Sequence, residues 1–456
     1  METDTIAAVA TAMASSGIGI IRISGPDAIQ IADRVFCSKR KKALKDCESH
    51  TIHYGWIVDD GVAVDEVLVM LMRAPNSYTR EDTVEIDCHG GVLVMQKILE
   101  TVVRYGARPA EPGEFTKRAF LNGRMDLTQA EAVMDLINSK NEFAWKCSVS
   151  QLQGVVLKKI RSLRERLIHE TAWIESAVDD PEHYDLDGYG KHLGKVVKEI
   201  KEEIQHLLDQ SDQGRVLKEG IHTVIVGKPN VGKSSLLNLL VGSQRAIVTD
   251  IAGTTRDVLE EQVNLNGIQL HVIDTAGIRN TDDLVEKIGV DKAKEYLEAA
   301  DLVLYVVDGS RSLSEEDEEI AKMIEGKHVI VLINKSDLKQ QVEYKELKQL
   351  SDHVIAISAK DGDGIEALTD RIRELFLKGE VTFNDQVIIT NIRHKNALML
   401  ALESLRLVEE SIENGMPEDF YTLDLMNAYE VLGKIIGESV EDDLAEEIFS
   451  KFCMGK

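Results

Sequence analysis

The run Gly227-Lys228-Pro229-Asn230-Val231-Gly232-Lys233-Ser234 fits the pattern G-x-x-x-x-G-K-[ST]. Glycines in such a run let backbone N–H groups turn inward onto phosphate oxygens. A following helix adds its positive N-terminal end, the lysine reaches the β- and γ-phosphates, and the serine ligates Mg²⁺. The flanking sequence supplies both elements. Thr223 to Val226 is an apolar run that predicts a buried strand, and Ser235 to Val241 predicts a helix. The chemistry is therefore that of a nucleoside triphosphate site.

Four further motifs narrow the base and complete the site. Asp274-Thr275-Ala276-Gly277 follows the strand-like His271 to Ile273. It brings a carboxylate to the Mg²⁺ shell and a glycine N–H to the γ-phosphate. Asn334-Lys335-Ser336-Asp337 follows the apolar Val329 to Ile333, and an Asp there accepts from N1–H and the 2-amino group of guanine, a donor pair adenine lacks. Ser358-Ala359-Lys360, after Val354 to Ile357, closes the base pocket. Gly253-Thr254-Thr255-Arg256 lies between the first two motifs, where a mobile loop carries a threonine toward Mg²⁺. The set predicts a guanine-nucleotide site built from Asn230, Val231, Gly232, Lys233, Ser234, Ser235, Thr249, Thr254, Thr255, Asp274, Thr275, Ala276, Gly277, Asn334, Lys335, Asp337, Ser358, Ala359 and Lys360. Ser234 and Thr255 are the Mg²⁺ ligands of that set.

The elements that hold these residues are legible in the texture of the chain. Its 456 residues suit about three domains. Charged residues are 29% and hydrophobic ones 43%, as in a soluble globular protein. A net charge of −26 excludes a broad basic RNA-binding surface. The five cysteines, Cys37, Cys47, Cys88, Cys147 and Cys453, form no C-x-x-C pair and point to a reducing cytoplasm. Residues 6–21 are uncharged but broken by Gly17 and Gly19 and preceded by acidic residues, which reads as strand–turn–strand rather than a leader. No run approaches the roughly 18 apolar residues of a membrane span.

Short β-like runs (Gly19 to Ile23, Val67 to Met72, Thr83 to Asp87) with the amphipathic Val92 to Val103 predict an α+β domain over 1–118. Helical stripes follow: Leu152, Val156, Ile160, Leu163, Leu167, and then Val197, Ile200, Ile204, Leu207. The stretch between them, from Asp179 to Gly190, is an acidic loop. Stripes resume with Leu398, Ala401, Leu405, Val408, Ile412 and with Leu425, Ala428, Leu432, Ile435. One helical domain made of 119–216 and 380–456, with a GTPase domain of 217–379 inserted, accounts for this order.

With these motifs in place, the chain resembles the MnmE (TrmE) family of tRNA-modification GTPases along essentially its whole length. The specific segments are Asp4-Thr5-Ile6-Ala7-Ala8, Ser77-Tyr78-Thr79-Arg80-Glu81-Asp82 running into Cys88-His89-Gly90-Gly91, Ala110-Glu111-Pro112-Gly113-Glu114-Phe115-Thr116-Lys117-Arg118-Ala119-Phe120, and the tail Phe452-Cys453-Met454-Gly455-Lys456. Two departures stand out. Met454 occupies a position where the family usually has Ile, and Ala10-Thr11-Ala12-Met13 lacks a Pro-Gly turn.

The resemblance implies a multidomain fold with an N-terminal α+β folate-binding domain, a discontinuous all-α helical domain and an inserted Ras-like α/β P-loop GTPase domain. It implies a homodimer that binds 5-formyltetrahydrofolate or a related one-carbon folate, with Arg22, Glu85, Arg124 and Lys456 as contacts. It implies a FAD-dependent partner, MnmG (GidA), in a heterotetramer that adds an aminomethyl-type group to C5 of the wobble uridine of certain tRNAs. The tRNA would be held largely through that partner, in the cytoplasm and without a membrane. Ile278 stands where Ras-like switches place a water-orienting glutamine, and the resemblance points to Glu286 as the residue acting instead. It points equally to K⁺ held by Asn230 and by loop oxygens of Thr249, Ile251 and Thr254, in the charge-neutralising role of an arginine finger. Arg256 and Arg279 are the weaker candidates for that role. Cys453 is placed by the resemblance near the one-carbon chemistry as a candidate catalytic thiol. A switch that only recognises a partner, as in ribosome assembly, is the competing reading; the N-terminal domain and the Cys-x-Gly-Lys tail speak against it.

Overall fold

A computed structural model describes residues 4–38, 43–180, 183, 188–243, 260–265, 268–274, 296–376, 387–417, 419–438, 448–450, 452 and 455. The chain forms two compact units. The first comprises Met1–Asn138, Ser148–Lys201 and Asn396–Lys456, the second Ser139–Cys147 and Glu202–Lys395.

The first unit is built on a seven-stranded sheet of order β3-β4-β5-β6-β2-β1-β7. Its strands are β1 (Ile6–Val9), β2 (Gly19–Ser24), β3 (Phe36–Ser38), β4 (Thr51–Asp59), β5 (Val62–Met72), β6 (Thr83–Cys88) and β7 (Arg108–Pro109). All neighbours are antiparallel except β1 and β7. Residues 6–21 accordingly fold as strand, turn and strand. Thr11 helps close the turn, where Ile20 N donates to its Oγ1 at 3.2 Å.

Alternation along each strand decides which face is covered. Ile21, Ile23, Val67, Val69, Val84 and Ile86 point to helices α1 (Ala28–Val35) and α2 (Val92–Arg104), whose Ile31, Val35, Met95 and Ile98 complete one core. On the opposite face Ile6 and Ala8 meet Phe115 of α3 (Glu114–Leu121), which α4 (Leu127–Ile137) and α5 (Glu142–Leu152) follow along the chain. The stripes read from the sequence are the buried faces of long helices: Val156, Ile160, Leu163 and Leu167 on α6 (Val155–Asp179), Val197 and Ile200 on α7 (Tyr189–Glu219). Leu398, Ala401, Leu405 and Val408 are buried on the helix Ile392–Glu413, as are Leu425, Ala428, Leu432 and Ile435 on the helix Asp419–Ile436. Arg164 of α6 joins the two sequence segments, its Nε donating to the Tyr429 carbonyl at 3.0 Å while the guanidinium lies 3.9 Å from the Tyr429 ring centre.

The motif segments Asp4, Ser77–Asp82 and Ala110–Phe120 meet at one buried cation. Arg118 donates to the Asp4 carbonyl (2.7 Å) and carboxylate (2.9 Å), to Glu81 (3.2 Å) and to Glu114 (3.0 Å). Arg108 also bonds Asp4 (2.6 Å) and Glu114 (2.7 Å). Burying one guanidinium is tolerable because its donors are matched by carboxylates and a carbonyl.

The second unit carries a six-stranded sheet of order β13-β12-β11-β8-β10-β9. The strands are β8 (Ile221–Val226), β9 (Glu260–Leu265), β10 (Ile268–Asp274), β11 (Leu302–Asp308), β12 (Val329–Asn334) and β13 (Val354–Ala356). All pairs are parallel except β9 with β10. The strands β11 and β12 are buried along their whole length, as parallel strands covered on both faces must be. Strand order reverses at β8, so the C-terminal ends of β8, β10 and β11 open onto a crevice where ligands of such sheets bind. Among the described residues no helix is long and apolar enough to cross a membrane.

Candidate functional sites

At the C-terminal end of β8 the chain turns through Gly227–Gly232 into α8 (Lys233–Ser243). Gly227 (φ +148°) and Gly232 (φ +101°) adopt left-handed backbone that a side chain disfavours. At Gly232 space forbids one as well, since a Cβ would lie 2.2 Å from Asn334 Nδ2. Asn230 takes φ +64° at the exposed tip, a conformation asparagine accepts more readily than most residues.

Lys233 is buried, and its Nζ donates to the carbonyls of Gly227 (2.7 Å) and Lys228 (2.8 Å), so the ammonium is held across the loop's own mouth. Ser234 and Ser235 are exposed at the start of α8. Val231 is buried, and its carbonyl accepts from Asn334 Nδ2 at 2.8 Å. The same amide's Oδ1 accepts from Ala359 N at 3.0 Å. One buried side chain at the end of β12 therefore ties the phosphate loop to the Ser358-Ala359-Lys360 loop. Ser358 Oγ bonds Asp361 (2.9 Å) and Asp337 (3.3 Å), leaving Asp337 exposed beside the base-pocket loop. Lys335 pairs with Asp308 at 2.6 Å. Burial alone would raise the Asp308 carboxyl; hydrogen bonds from Lys335 and Ser310 outweigh it and hold the group below its ordinary value.

Asp274 ends β10 opposite Ile225 of β8. Thr249, Ile251, Thr254, Thr255, Thr275, Ala276, Gly277, Glu286 and Cys453 lie outside the described residues, as do Arg256 and Arg279.

A second cluster forms on the face of the first unit's sheet that lies opposite α1 and α2. Arg22 and Glu85 are cross-strand partners, with Nε donating to Oε1 at 2.7 Å. The Arg22 guanidinium lies 5.6 Å from the ring centres of both Tyr78 and Phe115, and Arg124 lies 4.7 Å from Tyr78. The C-terminal tail reaches the same place. Phe449 and Phe452 are buried with Ala119, Met125, Leu127 and Ala130. This seats Gly455 against β1, where a Cβ would come within 2.3 Å of the Val9 carbonyl. Arg22 Nη1 donates to the Gly455 carbonyl at 3.2 Å. Three of the four residues expected to contact a folate are thus brought together. The fourth, Lys456, lies outside the described residues and follows Gly455 directly.

Sequence reasoning gave no role to Tyr78, although it stands inside a quoted motif. It likewise missed Arg118 as the hub of the ion network, and Asp317, which binds Lys228 of the phosphate loop at 2.5 Å. Hydrophobic periodicity carries no signal for such polar contacts between segments far apart in sequence.

A mainly parallel sheet with this strand order, a phosphate loop at its switch point and an Asn-Lys-x-Asp turn beside it define a P-loop GTPase. Residues 5–124 match the family model described as "GTP-binding protein TrmE N-terminus", and residues 127–453 match the "MnmE helical domain" model. The chain is 55% identical to the tRNA modification GTPase MnmE of Lachnoclostridium phytofermentans, with all of both chains covered. It is 50% identical to that of Acetivibrio thermocellus and 49% identical to that of Clostridioides difficile, with 99% of each chain covered in both cases. The chain belongs to the MnmE family of tRNA modification GTPases.

Proposed function

We propose that this GTPase is the nucleotide-hydrolysing subunit of a complex that adds an aminomethyl or carboxymethylaminomethyl group to C5 of the wobble uridine of certain tRNAs. It works as a homodimer with a flavin-dependent MnmG-type partner, in the cytoplasm. The observation that carries this reading is the convergence of Arg22, Glu85, Arg124 and the tail at Gly455 on one sheet face, in a chain whose relatives are named for tRNA modification.

A folate fits that face. Its glutamate carboxylates need cations, which Arg124 and Lys456 supply, and the N–H edge of its pterin needs a carboxylate, which Glu85 supplies. The folate would bring the one-carbon unit, while this chain's residues bind it and orient it.

In the nucleotide site Asp337 receives the guanine N–H pair, with Ala359 and Lys360 beside it. Lys233 turns from its loop carbonyls to the β- and γ-phosphates. Ser234 and Thr255 are oxygen donors of the hard type Mg²⁺ requires. The Asn230 amide oxygen, with Thr249, Ile251 and Thr254, offers the same kind of donor to K⁺, which would neutralise charge between the phosphates. Glu286 positions the attacking water. Cys453 acts near the one-carbon group.

Nucleoside mass spectrometry of tRNA from cells lacking the gene tests the reading. C5-aminomethyl-type uridines are expected to vanish, to return with the wild-type chain and to stay absent with Lys233→Ala. An unchanged tRNA profile refutes the proposal. Equal hydrolysis rates in K⁺ and Na⁺, with Asn230→Ala unimpaired, would remove the K⁺ role alone.

A further inference from the structure

Two separate guanidiniums share the ring of Tyr78, with Arg22 at 5.6 Å and Arg124 at 4.7 Å from its centre. Its own place is fixed from two sides. The hydroxyl bonds Thr116 Oγ1 at 2.9 Å, and the ring packs on the Ile6, Ala8, Ala110 and Phe115 cluster. Thr116 is fully buried on α3, so the ring is anchored to a rigid element rather than to a loop.

The two arginines differ in what they are committed to. Arg22 is engaged by Glu85 at 2.7 Å and by the Gly455 carbonyl at 3.2 Å. Arg124 is exposed on the Gly123–Arg124 turn after α3, and among the described residues no carboxylate pairs with it. A long exposed side chain loses most of its rotamer freedom when it binds an anion, and that loss weakens binding. A ring already under the guanidinium removes much of the loss, because planar guanidinium stacks on an aromatic face.

We propose that Tyr78 is a positioning residue for ligand binding, holding Arg124 so that its guanidinium receives a carboxylate of the folate tail while Arg22 remains engaged with Glu85 and the C-terminal tail. This deepens the folate reading above and rests on it. The face thereby divides: Glu85 takes the pterin end, and the Tyr78–Arg124 pair takes the glutamate end. A tetrahydropterin without an aminobenzoyl-glutamate tail should feel only the first half.

The experiment is calorimetric titration of the full-length chain with 5-formyltetrahydrofolate and, separately, with a tail-less tetrahydropterin. Wild type, Tyr78→Phe, Tyr78→Leu, Arg124→Gln and the Tyr78→Leu/Arg124→Gln double variant are compared. Far-UV circular dichroism confirms folding of each. Tyr78→Phe keeps the ring and should bind the folate within about 2-fold of wild type. Tyr78→Leu should weaken folate binding by about 3- to 10-fold, the range expected for loss of a cation–π contact. It should leave the tail-less compound nearly unaffected. The double variant should bind the folate no more weakly than Arg124→Gln alone, because Tyr78 acts through Arg124. Additive losses, or equal losses for both ligands, overturn the positioning role while leaving the folate site standing. So does wild-type folate affinity in Tyr78→Leu. A wild-type chain that binds neither compound overturns the inference together with the folate reading.

Discussion

The guanidinium of Arg22 donates to the carbonyl of Gly455 across 433 residues of chain. That bond is the last link of a docked tail, and the link before it is apolar: the rings of Phe449 and Phe452 lie 5.2 Å apart, centre to centre, both buried. The glycine at 113 is required there, since a Cβ would come within 2.5 Å of the Phe449 carbonyl and its φ is +69°. Tail and sheet face form one site only while this docking holds.

Removing the Phe452 ring should therefore release the tail. Truncating a buried Phe to Ala costs about 3–5 kcal/mol, a large share of what can hold so short a segment in place. In Phe452→Ala, amide exchange across residues 448–455 should rise sharply, while exchange in β8, β11 and β12 stays slow. Folate affinity should fall at least about 10-fold if the tail supplies Lys456. Unchanged protection of the tail would show that the docking rests on other contacts.

Asn334 is the corresponding link in the nucleotide site. It is buried, donates to the Val231 carbonyl and accepts from Ala359 N. Asn334→Ala leaves the buried Val231 carbonyl without its partner, at about 1–3 kcal/mol, and the half-buried Ala359 N–H as well, at a smaller cost. The expected result is a lower melting temperature and at least about 10-fold weaker binding of a fluorescent GDP analogue. Asn334→Asp separates the two bonds. Its carboxylate still accepts from Ala359 but repels the Val231 carbonyl, so it should weaken nucleotide binding nearly as much as Ala. If Asn334→Asp binds like wild type, the clamp on the phosphate loop is not what matters.

The elements were legible wherever burial leaves a pattern in the residue types. The helical stripes follow from 3.6-residue spacing, the buried parallel strands from continuous apolar runs, and the strand–turn–strand start from an uncharged stretch broken by glycines. Residues such as Lys233, Asn334 and Asp337 were readable because their chemistry demands fixed order along the chain. Arg118, Tyr78 and Asp317 were not. Each also meets partners that only the fold brings near: Asp4 for Arg118, Arg22 and Arg124 for Tyr78, Lys228 for Asp317, and no local spacing encodes those meetings. The residues expected to contact a folate, Arg22, Glu85, Arg124 and Lys456, could be named only through family resemblance, since an Arg on a strand is ordinarily a surface group.

Lys228, inside the phosphate loop, binds Asp317 at 2.5 Å and Ser314 Oγ at 3.0 Å. Asp317 is buried, accepts from Tyr305 OH at 2.9 Å and closes the capping box of the helix Glu315–Met323. Asp317→Ala removes the N3 half of that capping box and leaves the loop's second residue with Ser314 Oγ but without its carboxylate partner. KM for GTP should rise several-fold with kcat little changed, because the loop's shape is altered but no group acting on the γ-phosphate is lost. A fall in kcat at unchanged KM would contradict this.

Acid stability follows from two sets of carboxyls with opposite signs. Hydrogen bonds from Arg108 hold Asp4 below its ordinary 3.8. Glu114 is pushed up by burial, yet Arg108, the Glu111 N–H and Arg118 bring it below 4.5. For both groups the folded value is depressed, so their stabilisation is present above about pH 4.5 and is lost as pH falls through the folded values. Asp87 is the reverse case. Burial, and then the neighbouring Glu85 charge, raise it above 3.8, and among the described residues its enclosed Oδ1 has no hydrogen-bond partner. Ionised Asp87 therefore opposes folding at neutral pH, and the opposition fades as the group protonates in acid. Asp87→Asn should raise the melting temperature at pH 7 and change it little at pH 3.5. Arg118→Met should do the opposite: a large loss at pH 7, where three carboxylates are left without their buried cation, and a smaller one at pH 3.5. Melting curves at the two pH values decide both, and equal shifts at both would mean that neither group's ionisation controls stability.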